Sequence, residues 1–251
     1  RYKKEIIKQL ELLGGYVIRD TILNTKDHGI PRYRIRWYCV GILRNIDTGS
    51  FEWPKEIECP PIEHLLEKID ASRNKEEPLD PRTLACKNIT NAENQIKNAG
   101  GNPRTHNYVV DVDAATSRMK WIKNISPCIT RSRNRGHWLT KENRRMTMEE
   151  MMRFQGMDAS KFILRIPQAN LGHQIGNAMS VNVVERILVQ IFNTTKLLSE
   201  TIGKNVADQW ADGIRIKQLR QTMGHGFAQS ANSAKEKEFN RFVGRILQKG
   251  R

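Results

Sequence analysis

The sequence predicts an α/β fold, on three observations. The chain opens on a helix–strand–loop–strand run, its middle is irregular and punctuated by proline and glycine, and helical periodicity returns after Met146. In the opening run Ile6, Ile7, Leu10 and Leu13 recur at helical spacing between Lys3 and Leu13, and Gly14-Gly15 stop that helix. Tyr16 to Leu23 alternates, as a half-buried strand does. Asp27-His28-Gly29-Ile30-Pro31 reads as a loop and Tyr33 to Leu43 as a second strand. This order suits the far edge of an α/β sheet, where two late strands pair antiparallel.

From Arg44 to about Thr140 the texture changes. Pro54, Pro60-Pro61, Pro78, Pro81 and Gly100-Gly101 interrupt it, Asn and Lys are plentiful, and the pattern supports only a short helix near Ile62 to Ile69. A small, irregular inserted domain is expected there. Next, Thr147 and Glu150 form a T-x-x-E capping box ahead of a helix through Met151, Met152 and Phe154, with Gly156 as its terminator. A further helix follows Gly176-Asn177, capped by Ser180 and striped by Val181, Val184, Leu188 and Phe192. Beyond Ile202 the tail is polar and basic, with helical pieces such as Phe239 to Leu247.

Forty-two Lys+Arg against 27 Asp+Glu give the 251 residues a formal charge of +15. Such an excess favours a polyanionic partner, because phosphate neutralisation releases counterions; a solvated basic surface is the plainer reading. The four cysteines, Cys39, Cys59, Cys86 and Cys128, form no CxxC pair. That argues against a zinc site or disulfide framework and suits a reducing, intracellular compartment. No uninterrupted apolar run suggests a membrane span or a secretory segment. The chain begins with Arg1 inside a helix-like pattern and reads as a piece of a longer protein.

Three segments carry chemistry. In Gly29-Ile30-Pro31-Arg32-Tyr33-Arg34-Ile35-Arg36, Arg34 and Arg36 lie two apart on a strand and share a face. Paired guanidinium groups there bind a phosphate or the oxygen of a polarised base, or merely keep an edge strand soluble. The second segment runs from Arg144 to Gly156 and the third from Gln174 to Val181; alone, each reads as a Met-rich core helix or as turn chemistry.

Together and in this order, the three resemble the last three conserved motifs of the DNA cytosine-5 methyltransferases. Gly29-Ile30-Pro31 with Arg34, Arg36 and Gly41 resembles that family's GxPQxRxR strand, with Arg32 in the place of the glutamine. Arg144-x-Met146-Thr147, Glu150, Arg153 and Gln155-Gly156 resemble the RxLTxxExxRLQG helix, and Gln174-x-Gly176-Asn177-Ala178 the closing QxGNA motif. The likeness covers about residues 1 to 195. It implies the C-terminal part of a class I, Rossmann-like, S-adenosylmethionine-dependent methyltransferase sheet with an inserted, irregular target recognition domain. The implied organisation is sheet strands over 1–43, the recognition domain over 44–143, closing helices over 144–200 and a basic extension over 201–251.

The resemblance also implies a mechanism. In the family a cysteine thiolate adds to C6 of a flipped cytosine, C5 takes the methyl group of S-adenosylmethionine, and a base removes the C5 proton. Arg36 holds the position that contacts the cytosine O2, Arg34 supports that pocket, and Asn177 and Ala178 belong to the motif that helps close the cofactor pocket. Pro127-Cys128 imitates the family's nucleophilic Pro-Cys pair, but it lies downstream of the arginine strand. Ser126-Pro127-Cys128-Ile129-Thr130 instead resembles the segment leading out of the recognition domain. The basic loop that follows, Arg131, Arg133, Arg135, His137 and Trp138, is a candidate for phosphate or base-edge contact, or a solvated loop; Lys120, Trp121 and Lys123 form a weaker cluster.

The glycine-rich cofactor loop, the upstream Pro-Cys and the Glu-Asn-Val segment of the family do not occur in these 251 residues. The expected partners are therefore double-stranded DNA and a missing N-terminal catalytic half, on the same chain or on another. The expected compartment is the cytoplasm or nucleoid, or the nucleus in a eukaryote. A non-catalytic DNA-binding module from a split or degenerate methyltransferase is the alternative, and an unrelated basic nucleic-acid-binding protein requires the three motifs to coincide by chance.

Overall fold

A computed structural model describes residues 2–68, 80–195 and 206–228. Helix α1 spans Tyr2–Leu12 and strand β1 Tyr16–Asn24. Strand β2, Ile35–Leu43, pairs with β1 antiparallel along its whole length, from Tyr16↔Leu43 to Asn24↔Ile35, the pairing expected from the sequence. β2 starts two residues later than its pattern suggests because the preceding backbone is committed elsewhere. Tyr33 donates its N–H to the Ser126 carbonyl (2.8 Å), and Ser126 donates to that of Pro31 (2.8 Å). On β2 the even residues Tyr38, Val40 and Ile42 enter a core cluster with Phe51, Val183 and Ile187, while Ile35, Cys39 and Leu43 on the other face stay exposed. No residue of α1 is buried.

The middle of the chain is more regular than the sequence suggests. The helix expected from Ile62 to Ile69 is only a 3₁₀ turn over Ile62–Leu65. A fifteen-residue helix, α2, occupies Leu84–Asn98, capped by Thr83, whose hydroxyl accepts the Cys86 N–H. Its inner face is Ala85, Ile89, Ala92 and Ile96, a helical stripe hidden from the pattern by small residues and frequent asparagines. Strands β3 (Tyr108–Val110), β4 (Trp121–Lys123), β5 (Trp138–Leu139) and β6 (Arg144–Arg145) form an antiparallel sheet ordered β4-β3-β5-β6. Strands of two or three residues are too short to show a period of two.

Three helices follow: α3 (Met148–Arg153), α4 (Gln168–Asn177) and α5 (Val181–Thr194). The capping box forms as expected: Glu150 donates its N–H to the Thr147 hydroxyl (3.1 Å) and accepts the Thr147 N–H (2.8 Å). Gly156 ends the segment at φ +81°, a left-handed turn that favours glycine. α4 was not expected; Gly176-Asn177 close this helix, with Ala178-Met179-Ser180 turning into α5. Ser180 sits at the N-cap of α5 but does not cap with its side chain, because its hydroxyl is taken by Thr25 and Arg32.

One apolar cluster runs across all these parts. It joins Ile30 before the arginine strand, Ile62, Leu65, Val109, Ile129 and Leu139 from the middle, and Met151, Met152, Phe154 and Ile175 from the closing helices. Trp210 and Leu219 join it from the C-terminal segment, where Ile214–Gln221 forms α6. The expected helix at Phe239 to Leu247 lies outside the described residues. Among the described residues no helix is long and apolar enough to cross a membrane.

Candidate nucleic-acid interface

One face of β2 and its lead-in changes from core to cation along its length. Tyr38, Val40 and Ile42 are buried against α5, while Arg36, Arg34 and Arg32 continue the same alternation toward the loop. Arg34 and Arg36 do project together, and both reach the Cys128 sulfur, at 3.5 Å from Arg34 Nη1 and 3.6 Å from Arg36 Nη2. Their environments differ. Arg34 is buried and donates to the carbonyls of Ala178 (2.8 Å) and Ile129 (3.4 Å), so it ties β2 to the closing motif and to the exit of the middle segment. Arg36 is exposed, and among the described residues its one other bond is to the Ile35 carbonyl (2.7 Å), which leaves its guanidinium edge open to a ligand.

Arg32, which the sequence marked only as a departure, is completely buried. It donates to the Ser180 hydroxyl, which in turn contacts Thr25 Oγ1 (2.7 Å), while its Nε and Nη1 find no partner among the described residues. Burial and the neighbouring Arg34 charge push its pKa down to about 9, which still leaves it a cation at neutral pH. No carboxylate among the described residues pairs with Arg32, Arg34 or Arg36. Three converging cations without an acid make a site suited to negative charge.

The segment from Arg144 to Gly156 serves as a clasp. Arg144 donates to both carboxylate oxygens of the fully buried Glu150 (2.6 and 2.8 Å), and Glu150 also accepts the Glu67 N–H (2.7 Å). Arg153 donates to the Leu65 carbonyl (2.9 Å) and pairs with the Glu67 carboxylate. These residues therefore fasten the 3₁₀ turn and the chain after it to α3. No motif reading pointed to Glu67, because a hydrogen-bond partner 83 residues away and an ion-pair partner 86 residues away leave no local signal.

On the loop side of the structure, Arg131 and Arg135 are exposed, and their side chains make no hydrogen bond or ion pair among the described residues. Arg133 is half-buried and ion-paired with Asp111, with a second bond to the Ser132 hydroxyl (3.0 Å). The sequence treated the three as equals; the structure gives Arg133 an internal anchor and leaves the other two available. Trp121, from the weaker cluster, donates to Gln95 (2.9 Å) and packs edge-on against Tyr108. His137 is buried, which holds its imidazole below its usual pKa.

Asn177 is exposed, its amide unengaged among the described residues, and Ala178 is half-buried with its carbonyl held by Arg34. The cavities beside α5, α6 and the 3₁₀ turn have other linings. Among the described residues no three His, Cys, Asp or Glu side chains cluster as metal ligands.

The described residues thus tie an arginine strand to a closing helical motif within a mixed helix–strand architecture. The family model for C-5 cytosine-specific DNA methylases matches residues 1–193, and the chain belongs to that family. It is 27% identical over 194 residues to the type II methyltransferase M.HaeII of Haemophilus aegyptius, covering 75% of this chain and 54% of that protein. It is 30% identical over 187 residues to M.NgoBI of Neisseria gonorrhoeae (72% and 51%) and 26% over 203 residues to M.HpaII of Haemophilus parainfluenzae (74% and 53%). The chain thus spans about half the length of these relatives. Residues 206–228, with Trp210 and Leu219 in the core, lie beyond the matched segment.

Proposed function

We propose that this chain is the DNA-reading half of a DNA (cytosine-5) methyltransferase, which acts on double-stranded DNA when joined to a catalytic half. The observation that carries the reading is the unpaired arginine face beside the closing motif, within a chain of this family. Arg36, with its open guanidinium edge, contacts the O2 of a cytosine swung out of the stack and stabilises negative charge as the ring is attacked. Arg34 holds that pocket in shape through the Ala178 and Ile129 carbonyls. Arg131 and Arg135 meet phosphates or base edges at the duplex, and Arg133 stiffens the loop through Asp111. Asn177 and Ala178 form one wall for S-adenosylmethionine, which supplies the methyl group, and the catalytic half supplies the other walls together with the nucleophile.

The unpaired apolar surfaces fit a second half. Tyr2, Ile6, Leu12, Ile22, Ile35 and Leu43 are exposed around a sheet of only two strands, which is marginal by itself. The test is transfer of labelled methyl groups to DNA by the full reading frame, or by this chain mixed with the product of any adjacent frame. Label at cytosine C5 supports the enzyme; salt-dependent DNA binding without label supports the non-catalytic module.

A further inference from the structure

The Arg131–Arg135 loop is held by its backbone on one face of α4. A Cβ built on Gly172 meets the Asn134 carbonyl oxygen at 2.1 Å, and one on Gly176 meets the Thr130 carbonyl carbon at 2.3 Å and the Arg131 nitrogen at 2.4 Å. Both glycines are helical, so backbone conformation is not the reason for them; contact is. Between them His173 Nδ1 lies 2.9 Å from the Arg131 carbonyl, which makes Nδ1 the donor, and Nε2 accepts from the Asn134 amide at 3.3 Å. The loop's own bonds add rigidity: Arg133 donates its N–H to Thr130 (2.9 Å) and its side chain pairs with Asp111, and Gly136, at φ +81°, passes against the Met146 carbonyl. Every tie is made by backbone or by residues other than Arg131 and Arg135, whose side chains are exposed and unengaged among the described residues. Gly176 belongs to the closing motif, whereas Gly172 and His173 precede it and no motif reading accounts for them.

We infer that Gly172 and His173 are positioning residues for base-pair discrimination: they fix the distance and register at which the Arg131–Arg135 loop meets the DNA. The inference rests on the reading of that loop as a DNA contact. Direct readout depends on a hydrogen-bonding side chain meeting a base edge within a few tenths of an ångström, so a loop lifted from its seat loses discrimination before it loses charge attraction.

The test uses the full-length protein and a target duplex recovered by selection from a randomised pool. Affinity is measured for that duplex and for the same duplex with one base pair altered, in the wild type and in Gly172→Ala, His173→Phe and His173→Gln, alongside S-adenosylmethionine affinity and Tm. One altered pair costs a specific binder roughly 5- to 100-fold. That ratio is expected to collapse toward unity in Gly172→Ala and His173→Phe and to survive largely in His173→Gln, whose amide keeps a donor and an acceptor. Cofactor affinity is expected to stay within about twofold in all of them. An unchanged ratio overturns the inference. So does a parallel fall in both DNA affinities, cofactor affinity and Tm, which is the mark of a structural role, or a wild type with no sequence preference. A wild type that discriminates without methylating overturns the enzyme reading only, and the ratio still decides the positioning role.

Discussion

Glu150 is a fully buried carboxylate held from several sides, and its replacement gives a sharp prediction. It is fully buried, accepts two bonds from Arg144, completes the capping box with the Thr147 N–H and accepts the Glu67 N–H. Glu150→Ala leaves the Arg144 guanidinium buried without its carboxylate, which costs about 3–5 kcal/mol, and removes half a capping box worth about 1 kcal/mol. The two overlap at one side chain, so about 4 kcal/mol is the expected total. That is a large share of the 5–15 kcal/mol typical of a folded protein. Glu150→Gln keeps the shape and one acceptor, and should lose less. The assay is denaturant unfolding of the chain joined to its catalytic half, read as the midpoint at constant slope. A loss below about 1 kcal/mol for the alanine variant would show that the clasp is not a stabilising element, and the reasoning from burial and partner count would fail.

Other predictions concern different parts of the molecule. Arg36→Ala in the complete protein should depress turnover by about 10²-fold or more with little change in DNA affinity, because its guanidinium is assigned to charge that develops during reaction; equal rates refute the assignment. His28 is buried beside Arg186, and burial together with that charge pushes its pKa down to about 4. Since the folded value lies below the ordinary 6.5, its contribution is complete above about pH 6.5 and is lost as pH falls toward 4, at most about 3 kcal/mol. The same titration of His28→Gln should be flatter over that window, and identical curves count against it. Trp210→Ala should cost about 3–5 kcal/mol, since the ring is buried in the main core and its N–H is bonded to Glu185 (2.6 Å). The isolated chain should be poorly soluble, given the exposed apolar residues of its first helix and its two-stranded sheet; a sharp, reversible thermal transition of the chain alone contradicts that.

Much of the site was legible because its residues sit in local patterns. The alternation of Arg34 and Arg36 announced a shared face, and Thr147 with Glu150 announced a helix start that the structure contains. What escaped the sequence was either short or distant. Strands β3 to β6 are too brief for a period, and α2 hides its stripe behind alanine and asparagine. The burial of Arg32 depends on Ser180, 148 residues away. Gly172 reads as an ordinary residue until the backbone of Asn134 is seen against it. Arg133 looked like its neighbours until Asp111 claimed it.

The central claim is tested most directly by incubating the full reading frame, or this chain with any adjacent product, with labelled S-adenosylmethionine and double-stranded DNA. The account predicts label at cytosine C5 that falls sharply in Arg36→Ala. Folded protein that binds DNA and transfers no label would contradict it.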